Sequence, residues 1–401
     1  MNIQICILTG QPLANLIPLL QYQPDRIALL VSDELAPKLP GFLETLHIAG
    51  WQQDQIDCFE HMPDQGYEQI INFVEQLGNQ LKQQHPAATL SVNLTGGNKL
   101  MSLGTMMALD SDDNALFYTD TKHQQIEFLN HNRMGVEPMQ AVLNLPLCLK
   151  AAGLTLRNQQ DADTAWIERA IQRKKATKYL ADHADELAGL ISQLNYNYAN
   201  DNQQEYSSRS FNLKNNPKGP WLIALKELQQ AGVLDWGDNT SHWRPAQEDT
   251  ARYLSGGWLE EYAWHCARDA GLNSEHLGIS VVITDDSNRK ADIRNEADVM
   301  LVANNRLLLI ECKTGNLARD GKDQDTINKL AILADKTGGI MAEGLLISSQ
   351  PLERETREKR TVNSRARARS MDLRTCEAGE LKNLRKQLEC WIKQGHWLDA
   401  K

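Results

Sequence analysis

The sequence predicts an α/β protein with three parts: an N-terminal domain on a mostly parallel sheet, a helical and winged-helix-like linker, and a C-terminal α/β domain built round one β-hairpin. Three observations carry this. Apolar runs of five or six residues alternate with amphipathic stretches through the first 145 residues, the pattern of strands and covering helices in a parallel sheet. Further on, an amphipathic stretch precedes two short apolar runs separated by Gly237-Asp238-Asn239, which reads as a helix and a two-stranded wing. Finally, two long apolar runs meet at Asn304-Asn305, a pair that tolerates the positive φ of a two-residue hairpin turn. The boundaries expected from these changes are 1–145, 146–249 and 250–401.

In the N-terminal domain, residues 3–8 form a strand that ends in Thr9-Gly10-Gln11-Pro12 and turns into a helix. Residues 26–31 form a second strand, ending at Ser32-Asp33, and residues 66–83 a long amphipathic helix. Residues 89–94 run into Thr95-Gly96-Gly97-Asn98-Lys99 and then a Met-rich helix to Leu109, while 115–119 and 125–129 close the domain as a hairpin. Ligands on such sheets bind at the carboxyl ends of the strands, where all these turns fall. Paired glycines let a backbone approach a phosphate, the following helix offers free N–H groups, and Lys99 adds positive charge. The glycine spacing is not that of a Walker loop. A Thr-Gly-Gly-Asn turn can also serve only to start a helix, and the residues alone leave both readings open.

Residues 159–249 are rich in charged and amide side chains, with a helix at 221–231 and the wing at 232–236 and 241–245. The helix is not basic, so the module is expected to join the two end domains and support a dimer rather than read DNA.

Gly256-Gly257-Trp258-Leu259-Glu260-Glu261 opens a helix whose apolar stripe runs through Leu259, Tyr262, Ala263, Cys266 and Ala270. On a helical wheel Glu260 lies nearer the edge of that stripe, and Glu261 is expected to point further into solvent. Both glutamates would also suit a helix N-terminus for purely electrostatic reasons. The hairpin follows at 297–303 and 306–313, and a tight turn pairs residues whose numbers add to 609. Asp298 then faces Glu311 and Glu296 faces Lys313, with all four side chains on one face. The middle of the hairpin is apolar on both faces and expected to be buried. Opposed carboxylates there repel, and burying them unpaired is costly. A divalent cation removes that cost, and carboxylate oxygens are hard ligands suited to Mg²⁺ or Mn²⁺. Lys313 can orient water or stabilise charge on a phosphate. The alternative is a buried charge cluster in which Lys313 neutralises Glu296.

The net charge of −10 excludes a surface coated in basic residues for bulk nucleic-acid binding. A local groove remains open: residues 353–374 hold eight Lys or Arg against four acids, including Arg365, Arg367 and Arg369. These form either a phosphate-tracking strip or a solvated helix of mixed charge. Seven cysteines are scattered without Cys-x-x-Cys or zinc spacing, which fits a reducing cytoplasm, with Cys6, Cys266 and Cys312 in the core. Neither a signal peptide nor a membrane-length apolar run is expected, so the chain reads as soluble and cytoplasmic.

Asp298 followed by Glu311-Cys312-Lys313 resembles the PD-(D/E)xK nuclease superfamily, with Ala297 where a proline often stands. The Thr-Gly-Gly loop, the Gly-Gly-Trp-Leu-Glu opening and the Glu-x-Lys strand occur in that order. In this the whole chain resembles the CARF nucleases of type III CRISPR defence. The resemblance implies a Rossmann-like CARF domain, a winged-helix-like linker and a restriction-endonuclease-like C-terminal domain. It implies that Thr95, Gly96, Gly97, Asn98 and Lys99 hold a cyclic oligoadenylate, with Thr9, Gly10, Gln11 and Ser32 lining the same pocket. Cyclic tetra-adenylate, with its two-fold symmetry, would fit between the paired loops of a homodimer. Asp298, Glu311, Glu260 and the carbonyl of Cys312 would bind Mn²⁺ or Mg²⁺, and Lys313 would position or activate water. Activator binding would bring both metal sites into register for hydrolysis of DNA, RNA or both. The rival from another class is a ligand-responsive winged-helix transcription regulator with an inactive nuclease-like domain, against which the intact Asp298, Glu311 and Lys313 speak. No histidine lies near the Thr-Gly-Gly loop, but breakdown of the cyclic ligand by the N-terminal domain can proceed by substrate positioning alone, so the sequence leaves it open.

Overall fold

The structure, a computed structural model, describes residues 1–130, 134–199, 211–237, 241–246, 250–286, 294–315, 317, 322–355 and 361–398. It divides into two compact units, one built from Met1–Thr155 with two short later segments, the other from the rest of the chain.

Strands β1 (Asn2–Ile7), β2 (Arg26–Leu30), β3 (Ile56–Phe59), β4 (Thr89–Asn93), β5 (Ala115–Asp120), β6 (Gln125–Phe128) and β7 (Gly135–Pro138) form the first sheet, in the order β3-β2-β1-β4-β5-β6-β7. The first five are parallel and the last two antiparallel. Helices α1 (Leu13–Tyr22), α2 (Leu39–Ile48), α3 (Tyr67–Gln84), α4 (Lys99–Leu109) and α5 (Leu145–Ala151) complete the unit. Ile3, Ile5, Ile7, Val92 and Leu116 are buried in one core with Ile70, Val74, Leu77 and Met101 of α3 and α4. Glycines set the spacing of those helices: a Cβ at Gly104 would come within 2.6 Å of Ile70, and one at Gly78 within 2.9 Å of Leu109. The strand order reverses between β1 and β4. That switch point is where the crevice for a ligand forms in doubly wound sheets, and the turns at 9–11 and 95–99 leave these two strands. The segments β3, α2 and β7 were not expected from the sequence.

The second unit begins with β8 (Leu154–Asn158), α6 (Thr164–Asp182) and α7 (Ala188–Ala199). The winged module follows: β9 (Phe211–Asn212), α8 (Pro220–Gln230), β10 (Leu234–Trp236) and β11 (His242–Pro245), in the antiparallel order β10-β11-β9. Trp236 lies opposite Trp243, both buried. The expected turn residues Asp238 and Asn239 lie outside the described residues. Short α9 (Thr250–Arg252) passes through a π-helical turn, Tyr253–Gly257, kinked at Gly256 with φ 147°, into α10 (Trp258–Asp269).

Strands β12 (Leu277–Asp285), β13 (Arg294–Ala303), β14 (Arg306–Lys313) and β15 (Ala342–Ser348) make the centre of the second sheet. Helix α11 (Lys322–Gly338), the ribbon β16 (Glu353–Glu355) and β17 (Thr361–Asn363), α12 (Ser364–Arg369), β18 (Arg374–Glu377) and α13 (Leu384–Gln394) complete the unit. The sheet order is β18-β15-β14-β13-β12-β8. One core joins residues of α6, α7, α8 and the wing to α10, the hairpin and α13, and Trp166 packs edge-on against Trp264 at 5.0 Å. Of the segment expected as a helical and winged-helix-like linker, 146–249, the buried residues from Trp166 to Trp243 share this core with the C-terminal domain. Among the described residues, no helix is long and apolar enough to cross a membrane. All seven cysteines are free thiols, with Cys6, Cys266 and Cys312 buried as expected.

Candidate active site

The hairpin that carries the acidic residues closes as the sequence predicts. Asn304 and Asn305 both have positive φ, 50° and 59°, the requirement of a type I′ turn. The register is Val299↔Ile310, Met300↔Leu309, Leu301↔Leu308, Val302↔Leu307 and Ala303↔Arg306, and the residues from Val299 to Val302 are fully buried. One step beyond this ladder Asp298 comes to the start of the return strand's polar end. Its Oδ2 accepts the Cys312 N–H at 2.7 Å. Lys313 Nζ lies 2.5 Å from Glu311 Oε1 and 3.8 Å from Asp298 Oδ2. Its expected partner Glu296 instead lies half-exposed beside Arg252, 3.5 Å away. The reason is electrostatic: the two carboxylates at Lys313 are buried, where charge attracts more strongly than at the solvated edge.

Helix α10 adds the third carboxylate, with a correction. The stripe of Leu259, Tyr262, Ala263, Cys266 and Ala270 is buried as expected, but so is Glu261, at 2 % exposure. Arg173 of α6 donates to Glu261 Oε2 from Nε and Nη2 at 3.0 and 2.7 Å, and Thr177 Oγ1 donates to its Oε1 at 3.1 Å. Glu261 is thus a structural ion-pair partner, and Glu260 is the glutamate that borders solvent. Ser280 Oγ donates to Glu260 Oε2 at 3.4 Å.

Burial, then the charge of Asp298, pushes the Glu260 carboxyl up to about 7. Burial, then Glu311, pushes Asp298 up to about 6. Burial alone would lower the Lys313 ammonium, but Asp298 and Glu311 outweigh it and raise it. Among the described residues, no three His, Cys, Asp or Glu side chains stand close enough together to hold a metal ion as they are. The donor chemistry nonetheless fits one: these are hard oxygen ligands, and the burial and mutual repulsion that raise Glu260 and Asp298 are what a bound cation would offset.

The carboxyl edge of the first sheet is held by a buried amide network. Asn15 Nδ2 donates to the Ile7 carbonyl at 2.7 Å, and Asn93 Nδ2 donates to Asn15 Oδ1 and the Ala14 carbonyl, each at 3.0 Å. Thr95 Oγ1 donates to Asn93 Oδ1 at 2.6 Å and accepts the Thr119 N–H at 2.7 Å. The Thr95 hydroxyl is therefore engaged in fixing the loop. Gly96 is packed so closely on β1 that a Cβ would lie 1.9 Å from the Ile7 carbonyl oxygen. Gly97 has φ 71°, and Asn98 caps α4 by accepting the Met101 N–H at 3.0 Å. Lys99, Gly10 and Gln11 are exposed, Thr9 is half-buried and Ser32 is buried at the end of β2.

Among the described residues, Arg365, Arg367 and Arg369 do not line up as one strip. Their segment is the helix α12, so Arg367 points away from Arg365 and Arg369. Arg365 Nη2 pairs with Glu377 and Glu380, each at 2.9 Å, and Arg367 Nη1 with Asp323 at 3.2 Å. The basic residues Arg357, Lys359 and Arg360 of the same stretch lie outside the described residues.

Sequence reasoning missed several groups. Arg252 reaches toward Glu260, 3.9 Å away. Ser280 has φ 49° inside β12. His61, at the end of β3, meets Asp33 at 2.7 Å on the carboxyl edge, so a histidine does stand on the same sheet edge as the glycine loop. Lys38 Nζ lies 3.5 Å from a Cβ built on Gly10. Each reaches its partner through tertiary packing within its own unit, and no local pattern marks it.

Residues 3–146 match the family model described as the Card1 CARF domain, and residues 247–395 match the one described as the Card1-like endonuclease domain. The chain is a CARF domain joined to an endonuclease domain. Its N-terminal domain belongs with the Card1 CARF domains and its C-terminal domain with the Card1-like endonuclease domains. It is similar over 98 % of both chains to VC1899 from Vibrio cholerae, at 22 % identity and TM-score 0.80. It is similar to Can2 from Sulfobacillus thermosulfidooxidans, solved in complex with cyclic tetra-adenylate, at 20 % identity and TM-score 0.71, over 98 % of this chain and all of that one. A type III CRISPR defence DNA nuclease activated by cyclic oligoadenylate matches 86 % of this chain and 45 % of its own at 13 % identity, TM-score 0.53. At these identities the likeness is one of fold. No curated protein sequence matches.

Proposed function

We propose that the chain is a nuclease of type III CRISPR defence, switched on by cyclic tetra-adenylate at its CARF domain and dependent on Mn²⁺ or Mg²⁺ at its endonuclease domain. The observation that carries this is the convergence of Asp298, Glu311, Lys313 and Glu260, with two of the carboxyls raised by burial and by a neighbouring carboxylate. Asp298, Glu311, Glu260 and the Cys312 carbonyl would hold the cation, which when bound supplies charge to a phosphate and acidity to a water. Lys313 keeps its proton and stabilises negative charge as it grows on the phosphate. The Cys312 N–H fixes Asp298, and Ser280 steadies Glu260.

Gly96, Gly97 and the N-terminus of α4 present backbone N–H groups to the activator, with Lys99, Thr9, Gly10, Gln11 and Ser32 round them. Beside that loop Leu100, Leu103 and Met107 leave an apolar stripe exposed along α4, which supports a homodimer joined there, one activator spanning both loops. Soluble cytoplasmic action on DNA, RNA or both completes the reading.

The test is cleavage of supercoiled plasmid and of labelled single-stranded RNA and DNA in Mn²⁺, with and without cyclic tetra-adenylate, beside Glu311→Ala. Cleavage that needs metal and activator and is lost in the variant is the expected result. No cleavage in any lane, with the activator bound, would leave a ligand-responsive regulator in its place.

A further inference from the structure

A cation outside the nuclease motif stands beside its carboxylates. Arg252, the last residue of α9, donates from Nη2 to Ser280 Oγ at 2.8 Å, with Glu296 at 3.5 Å and Glu260 at 3.9 Å. Its side chain remains 55 % exposed. Ser280 meets it because the backbone of β12 turns left-handed there, at φ 49°. Such a conformation costs a non-glycine residue on the order of 1–3 kcal/mol and persists where surrounding structure enforces it. Ser280 Oγ also lies 3.3 Å from Gln160 Oε1 and 3.4 Å from Glu260 Oε2.

Arg252, Gln160 and Glu260 wall an open cavity of about 150 Å³ that Arg169 and Arg173 also line. Arg173 is committed to Glu261 through two nitrogens. Arg169 lies 4.0 Å from Asp163. Arg252 shares its one short hydrogen bond with a neutral hydroxyl.

We infer that this cavity is a phosphate subsite for the substrate strand, in which Arg252 and Arg169 grip a phosphate next to the scissile one. The inference rests on the nuclease reading and adds to it how the strand is held. Size suits the occupant: a cavity of about 150 Å³, enough for a single benzene ring in an engineered protein core, admits a phosphate group. Charge selects it, since the planar guanidinium fork matches two phosphate oxygens. Position completes the argument: Glu260 lines the cavity and stands close enough to Asp298 and Lys313 for their charges to act on it, so a phosphate seated here places the strand beside the nuclease carboxylates. Ser280 is a positioning residue that aims Arg252.

The test measures binding of a fluorescein-labelled single-stranded DNA oligonucleotide to the full-length E311A protein, with Mn²⁺ and cyclic tetra-adenylate, across a salt series. Each lost phosphate contact flattens the slope of log K against log salt by about 0.7 for a single strand. E311A/R252Q is expected to lose about 0.7 and E311A/R252Q/R169Q about 1.4. E311A/R252K, which keeps the charge without the fork, keeps the slope and binds more weakly, as does E311A/S280A. These last two variants separate a misfolded site from a lost contact. An unchanged slope in E311A/R252Q, with wild-type protein still cleaving, overturns the subsite alone. If E311A binds no oligonucleotide and the wild type cleaves none, the nuclease reading falls and the subsite with it.

Discussion

Replacing Asp298 by Asn should make the metal-free protein more stable while removing its activity. In the folded chain the Asp298 carboxyl is pushed up from 3.8 to about 6, first by burial and then by Glu311. A carboxyl raised in this way adds stability that is complete below its unfolded value of 3.8 and is lost as pH rises through about 6. At pH 8 the ionised group therefore weighs against folding, by about 3 kcal/mol from the size of the displacement. The side chain keeps some contact with water, 18 %, so a realistic gain on neutralising it is about 1–2 kcal/mol. For a unit of this size that is roughly 3–6 °C in melting temperature. Asn retains an oxygen for the Cys312 N–H, so the strand contact survives. The assay is thermal melting of wild type and D298N in chelator at pH 8 and again at pH 5.5. The variant should melt higher at pH 8, and the gap should shrink at pH 5.5, where wild-type Asp298 is largely protonated. A variant that melts at or below wild type at pH 8 would refute the argument that this carboxylate is held at an energetic cost.

Titrating Mn²⁺ into wild-type protein should raise its melting temperature, by about 2.7 kcal/mol of stability at a hundredfold excess over Kd, and E311A should show little of that rise. Glu261→Gln leaves Arg173 buried without its charge partner, and should cost about 3–5 kcal/mol in urea denaturation; Glu260→Gln should cost almost nothing there and abolish cleavage. Gly96→Ala places a methyl group on the Ile7 carbonyl, so calorimetry with cyclic tetra-adenylate should show binding lost. Thr95→Val strands the Thr119 N–H and should destabilise the CARF domain by about 1–3 kcal/mol.

The hairpin was legible because its information is local. Two asparagines fix the turn, the turn fixes the register, and the register sets Asp298 against the Glu311 end. The same holds for the glycine loop, whose strand and helix are contiguous. What failed was information supplied by distant partners. Glu261 looked like a surface residue because nothing near it in sequence announces Arg173, which α6 delivers from 88 positions away. Arg365 and Arg367 looked like a phosphate strip because their acids, Glu377, Glu380 and Asp323, come from other elements. Ser280 gave no signal at all, since a serine inside an apolar run does not advertise positive φ.

The π-helical turn at Tyr253–Gly257 determines which of two adjacent glutamates becomes which. An α-helix advances about 100° per residue, so α10 meets α6 and the hairpin in a phase set by how many residues that turn contains. Removing one would carry Glu261 into the position of Glu260 and Tyr262 into that of Glu261, leaving Arg173 without its carboxylate. Chain length at this point is therefore a constraint as strict as residue identity at Glu260 itself. Substitutions in the turn can be absorbed one at a time, whereas a single-codon insertion or deletion would have to be compensated along the whole helix.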